Sequence, residues 1–556
     1  MKKNSLIIFI CIVFFASLLR LWQLGGEPKG FYSDEALYGY EAYSLLTTGK
    51  DQFGHPWPLS IAGFGDYRPA FYIYATIPFI KFLGLTEFAT RLPSTLSSIA
   101  TLIVLFLFTQ EITHNKKIAL LTMLLFSISP WSIYFARMAH ETNLMTFLIL
   151  SGIYILWRYQ GSTWATVIKI SLFIAAMYTY HTARVFIPLF LIFTVFLFHK
   201  EAFQHKKQLL IGFVLFIMLL LPMFKEFSGE GLARVKGISF WTDPGLLSSI
   251  NEQRGMATQK GMPSIIAKII YSKVTIYPQV FVKNYLTHFS PSFLLLKGDS
   301  NGIYNIPNTG ILLWIEPLLI IVGFIFLWKR QKEFFWWFLV IITIGLIPDS
   351  LTRLSPSSAR IQVVEPFVAV ISGIGLYYLL NRKHRFVLIT SIAVVSLLVL
   401  NQFWFWHSYL DILPIQNARA WQLGTKEMDL KTQELSSNYD EIWMSRNCWG
   451  WIHLVFDLHY NPALLQKEIK HSEKNELGFW WVSDVGKYHL DWFPKNLETN
   501  KKRLYIGIPS EFPLGTQPFY VVYHPINKQI LFWFVDAKMF QINPSTHQEE
   551  FMGGYL

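Results

Sequence analysis

The chain has 556 residues, of which 52% are hydrophobic, 17% aromatic and only 15% charged. This is the composition of a membrane protein rather than of a soluble globular one. The formal net charge of +12 would suit a nucleic-acid partner, but the basic residues collect in short linkers between apolar segments, so none is expected.

The apolar segments predict eleven membrane spans. The first, SLIIFICIVFFASLLRLW at residues 5–22, is too long for a typical signal-peptide core and no small-residue cleavage site follows it, so we expect it to be retained. The spans are expected near residues 5–22, 92–110, 118–134, 141–158, 163–180, 185–199, 208–224, 310–328, 334–348, 360–380 and 386–406.

The distribution of lysine and arginine predicts the orientation of these spans. Clusters such as Lys116-Lys117 and Lys329-Arg330 all face the cytoplasm if the N-terminus is cytoplasmic and the chain after about residue 407 is outside. The apolar stretch at 70–85 is short for a span and contains a proline and a lysine, which predicts that it lies in the membrane interface.

The predicted spans divide the chain into two regions. Residues 1–406 form the membrane domain, with two long external loops at 23–91 and 225–309. The tail, 407–556, mixes charged and turn residues with short β-rich runs after one helical stretch. We therefore expect an α-helical polytopic membrane protein with about eleven transmembrane helices and a C-terminal soluble, extracytoplasmic α/β domain.

Two carboxylates, Asp34 and Glu35, follow the first span directly after Ser33. One interpretation is structural: Ser33 caps a helix over residues 36–46, and the two carboxylates favour the helix dipole. The other is functional, because carboxylates beside low-dielectric lipid are costly unless they are paired or used. A second polar cluster in the same loop favours the functional interpretation.

That second cluster is DYRPAFY at residues 66–72, with Asp66 and Arg68 before a proline. This part of the chain resembles the first external loop of C-type (GT-C fold) glycosyltransferases. The resemblance lies in the order of its pieces, which are a span, then YSDEALYGYEAYSLLTTGKDQFGHPWP, then FGDYRPAFYIYATIPFIKFLGLTEFATRLPS, then a second span. The resemblance is greatest to family 39, which includes protein O-mannosyltransferases and the aminoarabinose transferases of lipid A. It implies that Asp34 is a catalytic carboxylate and that Arg68 contacts a lipid phosphate. The family more often has Lys-Pro-Pro where this chain has Arg68-Pro69-Ala70.

The resemblance continues in SPWSIYFARMAHETNLMTFL, where it implies a second acidic site residue, Glu141. The alternative is an i,i+4 ion pair between Glu141 and Arg137 on one helix face. The turn-rich loop at 288–310 resembles the corresponding outer loop of bacterial members, which implies closure over the sugar; a plain surface turn is the alternative.

Two arginines, Arg184 and Arg360, lie at the predicted outer ends of spans, where positive charge is unusual and needs an anionic partner. Their functional interpretation is a clamp for the lipid phosphate, and the alternative is a contact with lipid headgroups or a salt bridge. His181, near Arg184, could be a metal ligand, but a lone histidine is more often a hydrogen-bonded structural residue.

These features predict a membrane glycosyltransferase that moves a sugar from a polyprenyl-phosphate donor to a lipid, protein or cell-envelope glycan at the outer face of the cytoplasmic membrane. No nucleotide-sugar motif is present. Asp34 is the expected base, Arg68 the expected phosphate ligand, and inversion the expected outcome. The carboxylates Glu35, Asp66 and Glu141 are candidates to steady the sugar or to hold a divalent metal ion, whose participation is open. The alternative class is a transporter or flippase of a lipid-linked glycan.

Overall fold

The structure of the protein is a computed structural model that describes residues 3–65, 67–224, 237–381, 384–473, 480–494 and 502–539. The chain divides into two compact units: the first runs to Trp421 and also includes Trp480, and the second comprises Gln422–Glu473 and the chain from Trp481 onwards. The predicted boundary after residue 406 lies before this division, because the segment just beyond it remains tied to the helices: Arg137 donates to the Tyr409 hydroxyl at 2.9 Å.

Helices make up most of the first unit, and each of the eleven predicted spans overlaps at least one helix. The helices up to residue 224 are α1 (Lys3–Leu21), α2 (Ser33–Thr48), α3 (Phe71–Leu83), α4 (Glu87–Thr113), α5 (Lys116–Ser127), α6 (Pro130–Ala136), α7 (Glu141–Arg158), α8 (Thr163–Met177), α9 (His181–Leu197), α10 (His199–Gln204) and α11 (Lys206–Phe224). The later helices are α12 (Pro244–Gln259), α13 (Ser264–Ile270), α14 (Lys273–Thr287), α15 (Glu316–Arg330), α16 (Lys332–Ser350), α17 (Glu365–Leu380), α18 (His384–His407) and α19 (Leu413–Gln416).

By length and hydropathy, seven helical segments in the described part of the chain can cross a membrane, or eight if the bent pair α5–α6 is one span. The prediction of a multi-span membrane protein is therefore confirmed. One of the seven, Ser264–Leu296, lies in a predicted external loop, whereas α8 and α9 are apolar but shorter. Length and hydropathy alone thus support a smaller set of spans than the eleven expected.

Two helices near the C-terminal end of the membrane unit, α15 and α17, pack at very short range. A Cβ atom on Gly323 would lie 2.2 Å from the Ile371 carbonyl oxygen, and one on Gly375 would lie 1.9 Å from that of Leu319. Small residues allow helix backbones to approach in this way inside a membrane.

The loop between α1 and α4 contains α2, α3 and a short pair of β-strands. Helix α2 begins at Ser33 itself, and Tyr32 is its N-cap without a side-chain hydrogen bond, so the predicted cap at Ser33 is wrong. Strands β1 (Ser60–Ala62) and β2 (Tyr67–Pro69) pair antiparallel and place Arg68 opposite Ile61. The loop thereby holds Arg68 in an extended segment just before α3, as expected for a residue that precedes proline.

The second unit is a mixed β-sheet with helices, which confirms the predicted mixed domain. Its helices are α20 (Thr425–Leu435), α21 (Trp451–Asp457) and α22 (Pro462–Glu468), and its strands are β3 (Glu441–Met444), β4 (Ile469–His471), β5 (Val482–Val485), β6 (Tyr488–His489), β7 (Arg503–Gly507), β8 (Tyr520–Tyr523) and β9 (Ile530–Asp536). The strand order is β4-β5-β6-β3-β7-β9-β8. Strand β3 pairs parallel with β6 and β7, and the other pairs are antiparallel.

Candidate active site

An ion pair between Asp34 and Arg68 lies in the loop between α1 and α4. Arg68 Nη1 is 2.8 Å from Asp34 Oδ1, and the Arg68 and Asp34 side chains are 9% and 24% exposed. The Arg68 guanidinium also lies 5.5 Å from the centre of the Phe64 ring. The pair therefore combines a largely buried cation with a carboxylate that solvent or a ligand can reach. Asp66, the third predicted residue of this cluster, lies outside the described residues.

Glu141 joins this pair through Tyr38. Tyr38 lies one helical turn after Asp34 on α2, and its hydroxyl donates to Glu141 Oε1. Glu141 is buried at the first position of α7, and its Oε2 lies 3.7 Å from His140 Nδ1. A carboxylate from α7 is thus brought to the loop that carries Asp34.

The alternative interpretation of Glu141, an ion pair with Arg137 on one helix, is wrong. Helix α6 ends at Ala136 and α7 begins at Glu141, so the two residues do not share a helix face. Arg137 instead donates to the Tyr409 hydroxyl and to the Leu19 carbonyl, both at 2.9 Å.

A buried tyrosine, Tyr304, stands among these charged groups. Its ring lies 5.2 Å from the His140 ring, and its hydroxyl lies 3.3 Å from His140 Nε2. Burial raises the pKa of Tyr304 well above its usual value, and the nearby Asp34 and Glu141 carboxylates raise it further, while Arg68 opposes them. Tyr304 therefore remains a neutral hydroxyl at physiological pH, able to donate a hydrogen bond into the site.

Arg360 approaches the same site from the segment before α17. Its Nη1 lies 2.9 Å from Asp349 Oδ1 and donates to the Leu354 carbonyl at 2.7 Å. The Arg360 guanidinium also interacts electrostatically with the neighbouring Tyr180 and Tyr304 hydroxyls. Arg360 therefore forms a salt bridge, which was one of its predicted alternatives. This salt bridge also holds the Arg360 guanidinium near Tyr304.

Asp349, which pairs with Arg360, is fully buried, and its carboxylate contacts several other side chains and a backbone amide. Its Oδ2 accepts from Ser355 Oγ at 2.8 Å and from the Ser357 amide at 2.9 Å, and it lies 2.8 Å from His288 Nε2. A carboxylate with this many donors holds its partners in one geometry.

His181 and Arg184 begin α9, one turn apart. Arg184 Nε donates to the Met177 carbonyl at 3.1 Å, at the end of the preceding helix. Tyr180, directly before His181, packs its ring 5.7 Å from that of His140. The structure thus connects this segment to the site through Tyr180.

Glu35 points away from Asp34, into the protein. Its two carboxylate oxygens each accept a hydrogen bond at 2.9 Å from Arg91 on α4, and Oε1 also accepts from the Ala139 amide at 2.6 Å. Both side chains are fully buried. Burial raises the pKa of Glu35, whereas Arg91 lowers it. This two-pronged ion pair ties α2 to α4 and to the turn before α7, which are the elements that carry Asp34 and Glu141.

We expect Glu35→Gln to destabilise the protein by about 3–5 kcal/mol, because Arg91 would keep its buried charge without a compensating carboxylate. Thermal unfolding of the purified variant measures this. Glu111→Gln is the matched control, since its carboxylate lies 3.6 Å from Nη1 of the exposed Arg158, and it should melt close to wild type. A Glu35→Gln protein that melts like wild type but turns over slowly would instead show that Glu35 acts in the reaction itself.

Three site residues were not predicted from the sequence: Tyr38, His140 and Tyr304. Tyr38 follows Asp34 by four positions and so shares its helix face, a spacing that could have identified it. His140 directly precedes Glu141, but its role depends on Tyr304, which is more than 160 residues away in sequence and gives no local signal.

A metal site finds little support in these side chains. In the part of the chain that the structure describes, no three His, Cys, Asp or Glu side chains converge as a metal-binding group. A divalent ion with protein ligands usually needs several oxygen donors in one place. The chemistry proposed below is accordingly derived from the chain's own side chains.

Comparison with known proteins gives a family similarity for the first part of the chain. Residues 7–228 match the model of the dolichyl-phosphate-mannose-protein mannosyltransferase (PMT) family. No curated protein sequence matches the chain. The matched region contains α1 to α11, and with them Asp34, Arg68 and Glu141.

Solved structures share the fold over nearly the whole length. ArnT from Cupriavidus metallidurans in the apo state is 12% identical, with a TM-score of 0.55 over 96% of this chain and 98% of that one. ArnT bound to undecaprenyl phosphate gives 11% identity and a TM-score of 0.55 with the same coverage. An Archaeoglobus fulgidus oligosaccharyltransferase tethered to an acceptor peptide is 10% identical, with a TM-score of 0.50 over 83% of this chain and 63% of that one. The chain is thus similar to the PMT family over residues 7–228 and shares the ArnT fold over nearly its whole length. Together these similarities identify a membrane glycosyltransferase that uses a sugar linked to polyprenyl or dolichyl phosphate.

Proposed function

We propose that the protein transfers a sugar from a polyprenyl-phosphate donor to a hydroxyl of a lipid, protein or cell-envelope glycan at the outer face of the cytoplasmic membrane. The contact between Asp34 and Arg68 carries this proposal. It sets a reachable carboxylate 2.8 Å from a buried cation, in a loop directly beside the first membrane helix. Transfer from a phosphate-linked sugar needs one group of each kind, a base for the acceptor and a cation for the leaving phosphate.

In the proposed reaction Asp34 is the general base. Its carboxylate takes the proton of the acceptor hydroxyl as that oxygen bonds to the anomeric carbon, and the bond from this carbon to the phosphate oxygen breaks. The electron pair of that bond stays with the lipid phosphate. Direct displacement of this kind inverts the anomeric configuration.

Arg68 is proposed to stabilise the leaving lipid phosphate. Its guanidinium has five N–H donors, so it can contact Asp34 and still offer donors to a phosphate oxygen. Arg360 and Arg184 are further candidates for the same phosphate. Arg360 is better supported, because Asp349 holds it beside Tyr180 and Tyr304.

Glu141 is proposed to steady the oxocarbenium-like centre, since Tyr38 holds it near Asp34. Asp66 stays a candidate for the same task. Glu35 is proposed as a positioning residue that acts through Arg91 and the Ala139 amide, in support of Asp34 rather than in contact with the substrate. His181 stays a candidate for substrate contact at the start of α9.

We further propose eleven spans, with the N-terminus in the cytoplasm and the tail beyond residue 407 outside, as an extracytoplasmic domain. Ser264–Leu296 is then interfacial rather than spanning. Its mean hydropathy of 1.3 is low beside the 2.2 of α1, and it is broken between α13 and α14. It also carries Lys268, Lys273 and Lys283, and its exposed apolar residues, such as Val274 at 83%, suit the membrane interface.

A cysteine-labelling experiment tests this topology. In a Cys11→Ser background, Leu514→Cys places a thiol at a site that is 95% exposed in the tail. Cys448 contributes little labelling, because burial raises the pKa of its thiol well above the usual value. We expect an impermeant reagent added to intact cells to label Leu514→Cys but not Lys117→Cys, which lies on the cytoplasmic side. Labelling of Lys117→Cys alone would contradict the topology and the outer placement of the site.

The proposed activity is tested by supplying purified protein with polyprenyl-phosphate-linked sugar and following two products, the free polyprenyl phosphate and the glycosylated acceptor. Comparing envelope glycans by mass spectrometry with and without the gene would identify the sugar and the acceptor class.

A further inference from the structure

A cavity of about 590 Å³ lies at the end of the membrane unit opposite to the candidate active site. It is enclosed mainly by α8, α9, α10 and α11, and it also touches the last turn of α7 at Trp157. Glu141 begins α7 and Trp157 lies in its last turn, so about 24 Å of helix separates the cavity from the active site. In the proposed topology the two sites therefore lie towards opposite leaflets.

The wall of this cavity is apolar except for one cation and a polar rim. Apolar residues such as Ile170, Leu191 and Phe213 line most of it. The ammonium of Lys169 lies within this lining, on α8, and none of the described residues gives it a hydrogen-bond or ion-pair partner. An ionisable side chain inside a membrane span is costly, and an unpaired one marks a binding site by default.

The rim of the cavity is polar, and the surface around that rim is basic. Glu201 and His205 lie at the rim itself, and Gln208 Nε2 there donates to the Gly161 carbonyl at 2.7 Å. Beyond them the exposed lysines Lys200, Lys206 and Lys207 outnumber the single carboxylate. An apolar chamber with a cation in its wall and a basic rim is complementary to a ligand with hydrocarbon chains and a phosphate headgroup.

We propose that this cavity binds one anionic glycerophospholipid of the leaflet opposite to the active site, with an acyl chain among α8, α9 and α11 and its phosphate on Lys169. The volume is within the range of about 300–1,000 Å³ that ligand pockets have. The site is separate from the sugar-transfer site, and the proposal does not depend on the proposed function.

The test titrates purified full-length protein in detergent with dioleoyl phosphatidylglycerol or dioleoyl phosphatidylcholine and counts bound lipids by native mass spectrometry. Wild type should bind one phosphatidylglycerol in preference to phosphatidylcholine. Lys169→Gln should weaken this binding about tenfold, the effect of losing one hydrogen bond to a charged group. Lys169→Arg should retain the preference. Lys116→Gln is the matched control, since it removes an exposed lysine at the same end of the bundle and should leave binding unchanged.

Folding of the variant is checked in the same experiment. Without lipid, Lys169→Gln should melt no lower than wild type, because it removes an unpaired charge from apolar surroundings. With phosphatidylglycerol, wild type should gain more in melting temperature than Lys169→Gln. Equal affinity of wild type and Lys169→Gln, or equal binding of the two lipids, would overturn the proposal. A shift reproduced by inorganic phosphate alone would also overturn it, in favour of a simple anion site.

Discussion

Asp34→Asn is expected to slow sugar transfer by about 10²–10⁴-fold, the usual contribution of a general base. The amide keeps the shape of the carboxylate, but it cannot accept the proton of the acceptor hydroxyl. Asp34 begins α2 and contacts Arg68, so asparagine at this position should still fit the helix. The measurement is turnover of the purified variant with a polyprenyl-phosphate donor, beside its melting temperature.

A purely structural role for Asp34 predicts a different result. A carboxylate that only favours the helix dipole is worth about 0.3–1 kcal/mol of stability. The variant would then turn over normally and melt at a slightly lower temperature. That outcome would remove Asp34 from the reaction and direct attention to Glu141, the other described carboxylate that faces the site through Tyr38.

Arg68→Ala is expected to abolish most of the transfer while the protein remains folded in the membrane. The substitution removes the proposed phosphate ligand and also leaves Asp34 without its partner at 2.8 Å. Arg68→Lys should retain part of the activity, because the charge survives but the planar two-pronged grip is lost. Donor affinity and turnover should be measured for both variants. The expected order of activity is wild type, lysine, alanine.

Arg353→Ala is a suitable control for Arg68, since Arg353 is an arginine of the same unit whose Nε donates to the Ser239 carbonyl at 3.1 Å, away from Asp34. Transfer by this control should be affected much less than by Arg68→Ala. Wild-type transfer in Arg68→Ala would exclude the residue from the mechanism, and Arg360 would become the first candidate for the phosphate.

The sequence was sufficient where the signal is local. The apolar segments located the helices, and the β-rich runs of the tail correspond to β7, β8 and β9. The sequence places Asp34 and Arg68 in one loop, the resemblance to C-type glycosyltransferases implies their roles as catalytic carboxylate and phosphate ligand, and the structure brings them into direct contact. Their chemical roles stay predictions until they are measured.

The sequence was insufficient where distant segments meet. Asp34 and Glu35 are adjacent and chemically similar, yet α2 turns Asp34 towards Arg68 and Glu35 into a buried pair with Arg91. Only the packing of α2 against α4 decides which carboxylate is reachable. The same limit applies to Arg360, whose position depends on Asp349.

Release of polyprenyl phosphate, measured together with glycosylation of the acceptor, decides whether Asp34 acts in sugar transfer. Wild type and Asp34→Asn are reconstituted in liposomes that contain polyprenyl-phosphate-linked sugars and an envelope extract as acceptor, and free polyprenyl phosphate is quantified with the mass gained by the acceptor. The account predicts that wild type releases polyprenyl phosphate in step with acceptor glycosylation, and that Asp34→Asn does so at least about 100-fold more slowly. Movement of intact donor across the bilayer by wild type, without cleavage of the sugar–phosphate bond, would contradict it.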